Sequence, residues 1–585
     1  MKYSPFLRKV FSNSFMIVLL LFMLVVASCY MRFPGSLYNS IIINISDFLK
    51  TNLGSNGSII KIETGLHKLS KLMVFLSFAF IAYLQFWKWL LGRLKENNND
   101  NLSATYFNTR LVKQDWFIIT GLTIAAILLR IFPITQSLWQ DEIGVYKIFI
   151  EKGILSTVYP KSSMGSQPFM QIIVTLFINV FGVSELNLRL PVFLFAVFTV
   201  PLLYFVCIKI SGQRILALVA CLFLTIHSYH IYYSFQMRGY AIVIFLCILS
   251  TYLFIKLLYS YTKQTGILFI LTNILMVYTH MWAIYYLISQ QIVLVVILMY
   301  QLRKNNLPNT FSAHNIAAYF QSFIVFLLLI FIIYLPQIPV VLMNVLNENG
   351  IKILMTDYFY QVISTSHYLV AYSDNAVLVR LYVLTIVLVY LFVVKKSMPF
   401  RIIFYSSIIL FFITAFANNP TGFFPRYLIC ELPLFIFISA EVIMKLWNSS
   451  TAINKSLSII LVIAFITLSF MGYHNTYRKI QNFKGAVEFV NNQNMNEDKI
   501  IVANSIGKTE IQYYDKKIIP LNSTEQLDSL IALNKNVYAI TTLTRFAGRS
   551  AFLKDKDTQI KIERQFRRIK TFDGQFPVDV WYYQR

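Results

Sequence analysis

Apolar runs of about bilayer length recur along the whole chain, and they restrict its fold more than any other feature. A helix needs roughly 20 mostly apolar residues to cross the hydrocarbon core. By that measure about thirteen spans are expected, near 14–31, 72–91, 116–134, 190–210, 215–233, 238–259, 267–280, 282–300, 317–335, 378–394, 401–417, 427–446 and 456–473. The stretch at 267–280 is short and its edges are soft. With 57% hydrophobic and only 13% charged residues, the composition excludes an ordinary soluble core. The expected fold class is a polytopic α-helical membrane protein.

The net charge of +25 invites a nucleic-acid reading, but its distribution excludes one. Basic residues gather in alternate loops: Lys2, Arg8 and Lys9; Arg93, Lys95, Arg110 and Lys113; Lys209 and Arg214; Lys256 and Lys263; Arg303 and Lys304; Lys395, Lys396 and Arg401; Lys445 and Lys455. This is the positive-inside pattern of a membrane protein. It places the N-terminus in the cytoplasm and everything after 473 outside. The first span, with its basic flank, reads as a signal anchor, and Val26-Ala27-Ser28-Cys29 offers lipoprotein-type cleavage as the alternative. All five cysteines (Cys29, Cys207, Cys221, Cys247, Cys430) lie in apolar segments without a CxxC spacing, so neither a disulfide framework nor a thiolate metal site is expected.

Three regions follow from these patterns. Residues 1–115 form an added module: two spans, an outer loop at 32–71, and a polar inner linker centred on Glu96-Asn97-Asn98-Asn99-Asp100-Asn101. Residues 116–473 form the main body. Its long outer loop at 135–189 has helical apolar patterns over Glu142 to Glu151 and Pro168 to Phe181, both too short to span and suited to the headgroup plane. A second long outer loop, 336–377, carries Asp357, Tyr358, Tyr360, His367, Tyr368 and Tyr372. Residues 474–585 form a small α/β unit, with a helix over Phe483 to Asn491 and strands at 499–503, 517–520 and 536–540. The chain has no P-loop, GxGxxG, HExxH or evident internal repeat.

Acidic residues number only 26, yet two adjoin each other directly after a span, at Asp141-Glu142. Four further polar groups fall at the same, outer level. They are Arg189-Leu190-Pro191; His230-Ile231-Tyr232-Tyr233-Ser234-Phe235-Gln236-Met237-Arg238-Gly239-Tyr240; Thr279-His280-Met281-Trp282; and Asn419-Pro420-Thr421-Gly422-Phe423-Phe424-Pro425-Arg426-Tyr427. Each has an ordinary reading: carboxylates capping a helix, arginines snorkelling to headgroups, tyrosines in the aromatic belt. Jointly they are less ordinary, because topology rules disfavour arginine at outer span ends. Arginine suits bidentate phosphate recognition. A carboxylate, an imidazole and arginines at one depth can hold a phosphate leaving group beside a general base.

These motifs resemble the GT-C-type membrane glycosyltransferases, specifically glycosyltransferase family 39 and its bacterial relatives, which include the protein O-mannosyltransferases and the lipid A aminoarabinose transferases. The resemblance covers about 116–473. It rests on Asp141-Glu142, on His230 to Ala241, and on the Arg-Leu-Pro and Pro-Arg-Tyr triplets, and Arg130 also looks like a family position. Relatives often carry a glutamate where this chain has Gln236, and His-Pro-Pro where it has Gln167-Pro168-Phe169.

The resemblance implies sugar transfer from a polyprenyl-phosphate carrier to a lipid, glycan or protein acceptor. The transfer takes place at the extracytoplasmic face of a bacterial inner or plasma membrane, among membrane lipids and without nucleic acid. Asp141 is the candidate base, with Glu142 orienting it or binding sugar hydroxyls. Arg189, Tyr233, Arg238, Tyr240, His280, Arg426 and Tyr427 are the candidate donor-phosphate and substrate contacts. A divalent ion is left open, with Asp141 and His280 the residues that would meet it. Two other classes remain: an O-antigen-type polymerase or ligase acting on a polyprenyl-diphosphate glycan, and a transporter or flippase. A transporter places its ionisable residues near the midplane, whereas here the polar residues cluster at one face, with Glu431 the main exception.

Overall fold

The computed structural model describes residues 80–93, 107, 109–160, 166–303, 311–337, 366–372, 375–392, 397–417, 425–493, 499–504, 508–533, 536–542 and 556–583. The expected span at 14–31 with Cys29, the loop at 32–71, the linker around Glu96 to Asn101, Asp357 to Tyr360, and Asn419 to Phe424 lie outside them.

Six described helices are long and apolar enough to cross a membrane, and seven if one bent pair counts as a single span. They are Lys113–Thr135, Glu185–Ser211, Tyr240–Tyr259, Met281–Arg303, Ala313–Gln337 and Ala452–Tyr477. Lys263–Thr279 and Glu431–Trp447 have 17 residues each, and Ala376–Phe392 and Met398–Thr414 are also shorter apolar helices. The chain is an integral membrane protein.

Glu185–Ser211 and Tyr240–Tyr259 pack against each other at the centre of the bundle. Tyr240–Tyr259 is apolar on every side, as a helix surrounded by helices must be, and nearly all of it is buried. The peripheral Lys113–Ile131 turns Trp116, Phe117, Ile124 and Leu128 outward. Such a large apolar exterior is stable only against lipid.

The sequence expects one continuous span over 215–233. It is instead broken: Arg214–Ile226 ends, and Ser228–Ser234 continues after a 59° bend. The cause lies in a distant residue. Arg130, fully buried, donates to the carbonyls of Thr225 at 3.1 Å and Leu224 at 3.2 Å, which a straight helix would use itself. Its Nη2 also meets His230 Nδ1 at 2.9 Å, and the His227 ring caps the new helix by accepting from His230 N. Helix carbonyl ends stabilise a buried cation.

The segment after Lys113–Ile131 is also more broken than its apolar pattern predicts. A six-residue helix, Gln140–Val145, runs into a π turn at Tyr146–Ile150, and Ile154–Val158 follows. Pro168–Phe181 is one helix, started by proline and stopped by Gly182 in a left-handed conformation at φ 79°.

The C-terminal region forms a five-stranded sheet from β1 (Lys499–Asn504), β2 (Ile519–Pro520), β3 (Asn536–Thr542), β4 (Phe566–Phe572) and β5 (Val578–Tyr583), in the order β2-β1-β3-β5-β4. β1 runs parallel to β2 and β3, and β5 is antiparallel to β3 and β4. Side chains alternate between two covers. Val502, Val537, Ala539 and Trp581 pack beneath helices Thr524–Ala532 and Lys556–Gln565. Ile501, Ala503, Tyr538, Ile540, Val578 and Val580 face helix Phe483–Asn492 and join the core of the bundle. The strand expected over 517–520 is reduced to two residues.

Candidate active site

Asp141 and Glu142 are neighbours with opposite environments. Both lie in the first turn of Gln140–Val145, where the helix dipole favours negative charge. Glu142 points inward and is 0% exposed, whereas the Asp141 side chain is 39% exposed.

Glu142 is fully engaged. Its Oε1 accepts from Arg189 Nε at 2.9 Å and from Met237 N at 2.7 Å. Its Oε2 accepts from Arg189 Nη2 at 2.5 Å and from Trp139 N at 3.2 Å. Arg189 is engaged to the same degree: Nη1 donates to Ile134 O and Gln136 O, and Nη2 also donates to Ser137 O. A guanidinium has five N–H donors, and all five have acceptors here. The pair welds three segments together: the turn before Asp141, the start of Glu185–Ser211 and the backbone next to Arg238.

Arg238 approaches Asp141, with Nη2 3.9 Å from Oδ2. Its guanidinium carbon lies 5.8 Å from the centre of the Tyr240 ring. The turn that carries it is tightly set. Gly239 N donates to Gln167 Oε1 at 2.8 Å, and a Cβ on Gly239 would come within 2.5 Å of Thr279 Cγ2. Only glycine fits so close to the end of Lys263–Thr279.

That close approach delivers His280. Its ring lies 5.4 Å from Tyr240, which lies 4.4 Å from Tyr233. Arg426, in the single turn Pro425–Leu428, is within electrostatic reach of Arg238, His280 and Tyr233. Tyr427 follows it in that turn, and its side chain lies outside the described residues. One end of the bundle thus gathers Asp141, Tyr233, Arg238, Tyr240, His280 and Arg426 from four separate stretches of chain. Two arginines and one partly exposed carboxylate leave this site with a surplus of positive charge.

Arg130 and His230 lie deeper, at the helix break, where Arg130 Nε and His230 Nε2 have no partner. Among the described residues no group of three or more His, Cys, Asp or Glu side chains is placed to hold a metal ion.

The turns and helix ends around the C-terminal sheet supply residues that the sequence pattern does not flag. Tyr514 Oη accepts from Leu138 N at 2.7 Å, and Gln481 Oε1 accepts from Gln140 N at 2.8 Å. Burial pushes the Tyr514 phenol up to about 12, so its hydroxyl stays protonated near neutral pH. Tyr232 and Tyr372 both donate to Gln575 Oε1, at 3.3 and 3.4 Å. A lone Gln or Tyr more than 200 positions from its partner has no local signature.

No family model and no curated protein sequence matches the chain. The solved structures that resemble it include two of ArnT from Cupriavidus metallidurans at 9% identity, each match covering 80% of this chain and 98% of that one. The structure bound to undecaprenyl phosphate superposes with a TM-score of 0.48 and the apo structure with 0.50. At that identity the likeness is one of architecture: the chain has the GT-C-type helical membrane fold of ArnT.

Proposed function

We propose that the protein is a glycosyltransferase that moves a sugar from a polyprenyl-phosphate carrier to an acceptor hydroxyl at the extracytoplasmic membrane face. The observation that carries this reading is the convergence of a partly exposed carboxylate, Asp141, with Arg238, Arg426 and His280 at one end of a membrane bundle. The GT-C-type fold is compatible with it. So is the positive-inside pattern, which assigns this end to the outside. In this reading 116–473 is the catalytic core, 474–585 an outer α/β domain and 1–115 an added module.

The chemistry follows from the charges. The acceptor oxygen attacks the anomeric carbon as the bond from that carbon to the phosphate oxygen breaks. Asp141 takes the acceptor's proton, a role that typically contributes about 10²–10⁴-fold. The leaving polyprenyl phosphate gains negative charge, which Arg238 and Arg426 stabilise, with His280 as a hydrogen-bond donor. Tyr233 and Tyr240 form an aromatic wall beside them. Tyr427 belongs to the same turn as Arg426. Glu142 and Arg189, with their bonding capacity used on each other and on the surrounding backbone, act as positioning residues.

Purified protein in nanodiscs, given radiolabelled polyprenyl-phosphate sugars and cell-envelope acceptors, should release polyprenyl phosphate. Turnover only with polyprenyl-diphosphate glycans would favour the polymerase or ligase class, and carrier translocation without bond cleavage would favour a flippase.

A further inference from the structure

The helix that carries Asp141 is only six residues long. A helix of that length does not hold itself in place. Three successive amides at its start need acceptors. Trp139 N has Glu142 Oε2 at 3.2 Å, from the same turn. Leu138 N and Gln140 N have Tyr514 Oη and Gln481 Oε1, from the C-terminal region.

Both acceptors are themselves fixed. Gln481 is 1% exposed, and its Nε2 donates to Thr542 Oγ1 at 3.1 Å, at the end of β3. Thr542 Oγ1 donates in turn to Pro577 O at 3.1 Å, just before β5. Tyr514 also accepts from Ser137 Oγ at 3.3 Å. Around them Lys484 N donates to Ser137 Oγ at 3.2 Å, Lys484 pairs with Glu185 at 3.0 Å, and Tyr513 meets Tyr146 edge-on at 5.4 Å.

The same region has a second arm. The β4–β5 turn seats Gln575 under the hydroxyls of Tyr372 and of Tyr232, the latter on the segment that leads to Arg238. The turn lies directly on the backbone before helix Phe483–Asn492: Gln575 N donates to Lys479 O at 2.8 Å, and a Cβ at Gly574 would lie 2.8 Å from Ile480 O. One connected region therefore touches both the acid-bearing and the arginine-bearing segments.

We propose that the C-terminal region is a clamp that sets the position of the Asp141 carboxylate, with Gln481 and Tyr514, in the segments flanking its sheet, as the positioning residues. The proposal rests on the transferase reading above for its catalytic consequence, but not for the clamp itself. Catalysis is sensitive to such placement, since a misplacement of about 1 Å can cost on the order of a hundredfold.

The test uses the full chain in nanodiscs with Tyr514→Phe and Gln481→Met, measuring transfer from a polyprenyl-phosphate sugar and amide hydrogen exchange over 137–142. Each variant should lower kcat by about ten- to a hundredfold, leave the donor KM near the wild-type value, and speed exchange in that segment. A lowered melting temperature with unchanged kcat and unchanged exchange would show a merely structural role and overturn the clamp. If the wild-type protein transfers no sugar, the transferase reading fails, and the clamp is decided by exchange alone: unaltered protection in both variants overturns it. Should Gln481→Met not fold, Tyr514→Phe, which deletes a single oxygen, carries the test.

Discussion

Glu142 and Arg189 bind each other and the backbone around them so fully that neither has a hydrogen-bonding group left for a substrate. The carboxylate takes four donors, and the guanidinium reaches five acceptors. A buried pair of this kind is costly to break from one side, because the surviving buried charge loses its counter-charge. Glu142→Gln should therefore destabilise the protein by about 3–5 kcal/mol, read by unfolding in mixed micelles. Arg189→Lys should also destabilise it, because an ammonium has three donors where five are used. Normal stability with lost turnover in Glu142→Gln would instead make Glu142 a substrate-binding residue.

Asp141→Asn should behave in the opposite way. The side chain is partly exposed and the substitution isosteric, so expression and melting should stay near wild type. Loss of a general base typically costs about 10²-fold or more, and transfer should fall accordingly. If the variant keeps more than about a tenth of the wild-type rate, too much for a lost general base, Asp141 is not the base.

Arg238 distinguishes phosphate binding from headgroup anchoring. Lysine lacks the planar two-donor fork, so Arg238→Lys should raise the donor KM, lower kcat, or both. Arg238→Ala should cost more, and Arg426→Ala should follow it. Snorkelling predicts interchangeable Lys and Arg, with Ala affecting stability rather than turnover. Normal turnover of both alanine variants with purified donor would move the phosphate site elsewhere.

Gly239 offers a compensation experiment. Gly239→Ala places a Cβ only 2.5 Å from Thr279 Cγ2, closer than the two carbons can approach. The turn bearing Arg238 must shift, and transfer should drop. Thr279→Ser removes that methyl group, so the double variant Gly239→Ala/Thr279→Ser should recover much of the loss. If it does not, close packing between the two turns is not what places Arg238.

Membrane sidedness is checked with cysteines at exposed positions at the two ends. Lys517→Cys in the C-terminal region should react with an impermeant thiol reagent in intact cells, and Ser450→Cys should not. The four described native cysteines are buried and give little background. The inverse labelling would place the site on the cytoplasmic side.

Features of this protein that depend on near neighbours were legible in its sequence. Hydropathy over about 20 residues is a local quantity, and it located the central helices Glu185–Ser211 and Tyr240–Tyr259. Pro168 and Gly182 mark the ends of one helix by their own backbone preferences. The strands at Lys499–Asn504 and Asn536–Thr542 show because both faces are buried and read as apolar runs. Phe566–Phe572 was not legible, because this edge strand exposes Arg567, Arg568 and Lys570 and lacks such a run.

The tertiary structure decided whatever depends on partners distant in the chain. The break at His227 exists because Arg130, about a hundred residues earlier, takes the helix carbonyls. The sequence sets Asp141 and Glu142 side by side and gives both a place at the substrate. Their inequality arises because Arg189 and Met237 N meet Glu142 from the inner side and leave Asp141 outside. The part of Gln481 and Tyr514 was invisible for the same reason. Hydrogen-bond complementarity is a property of two surfaces brought together, and no window along a single chain contains both.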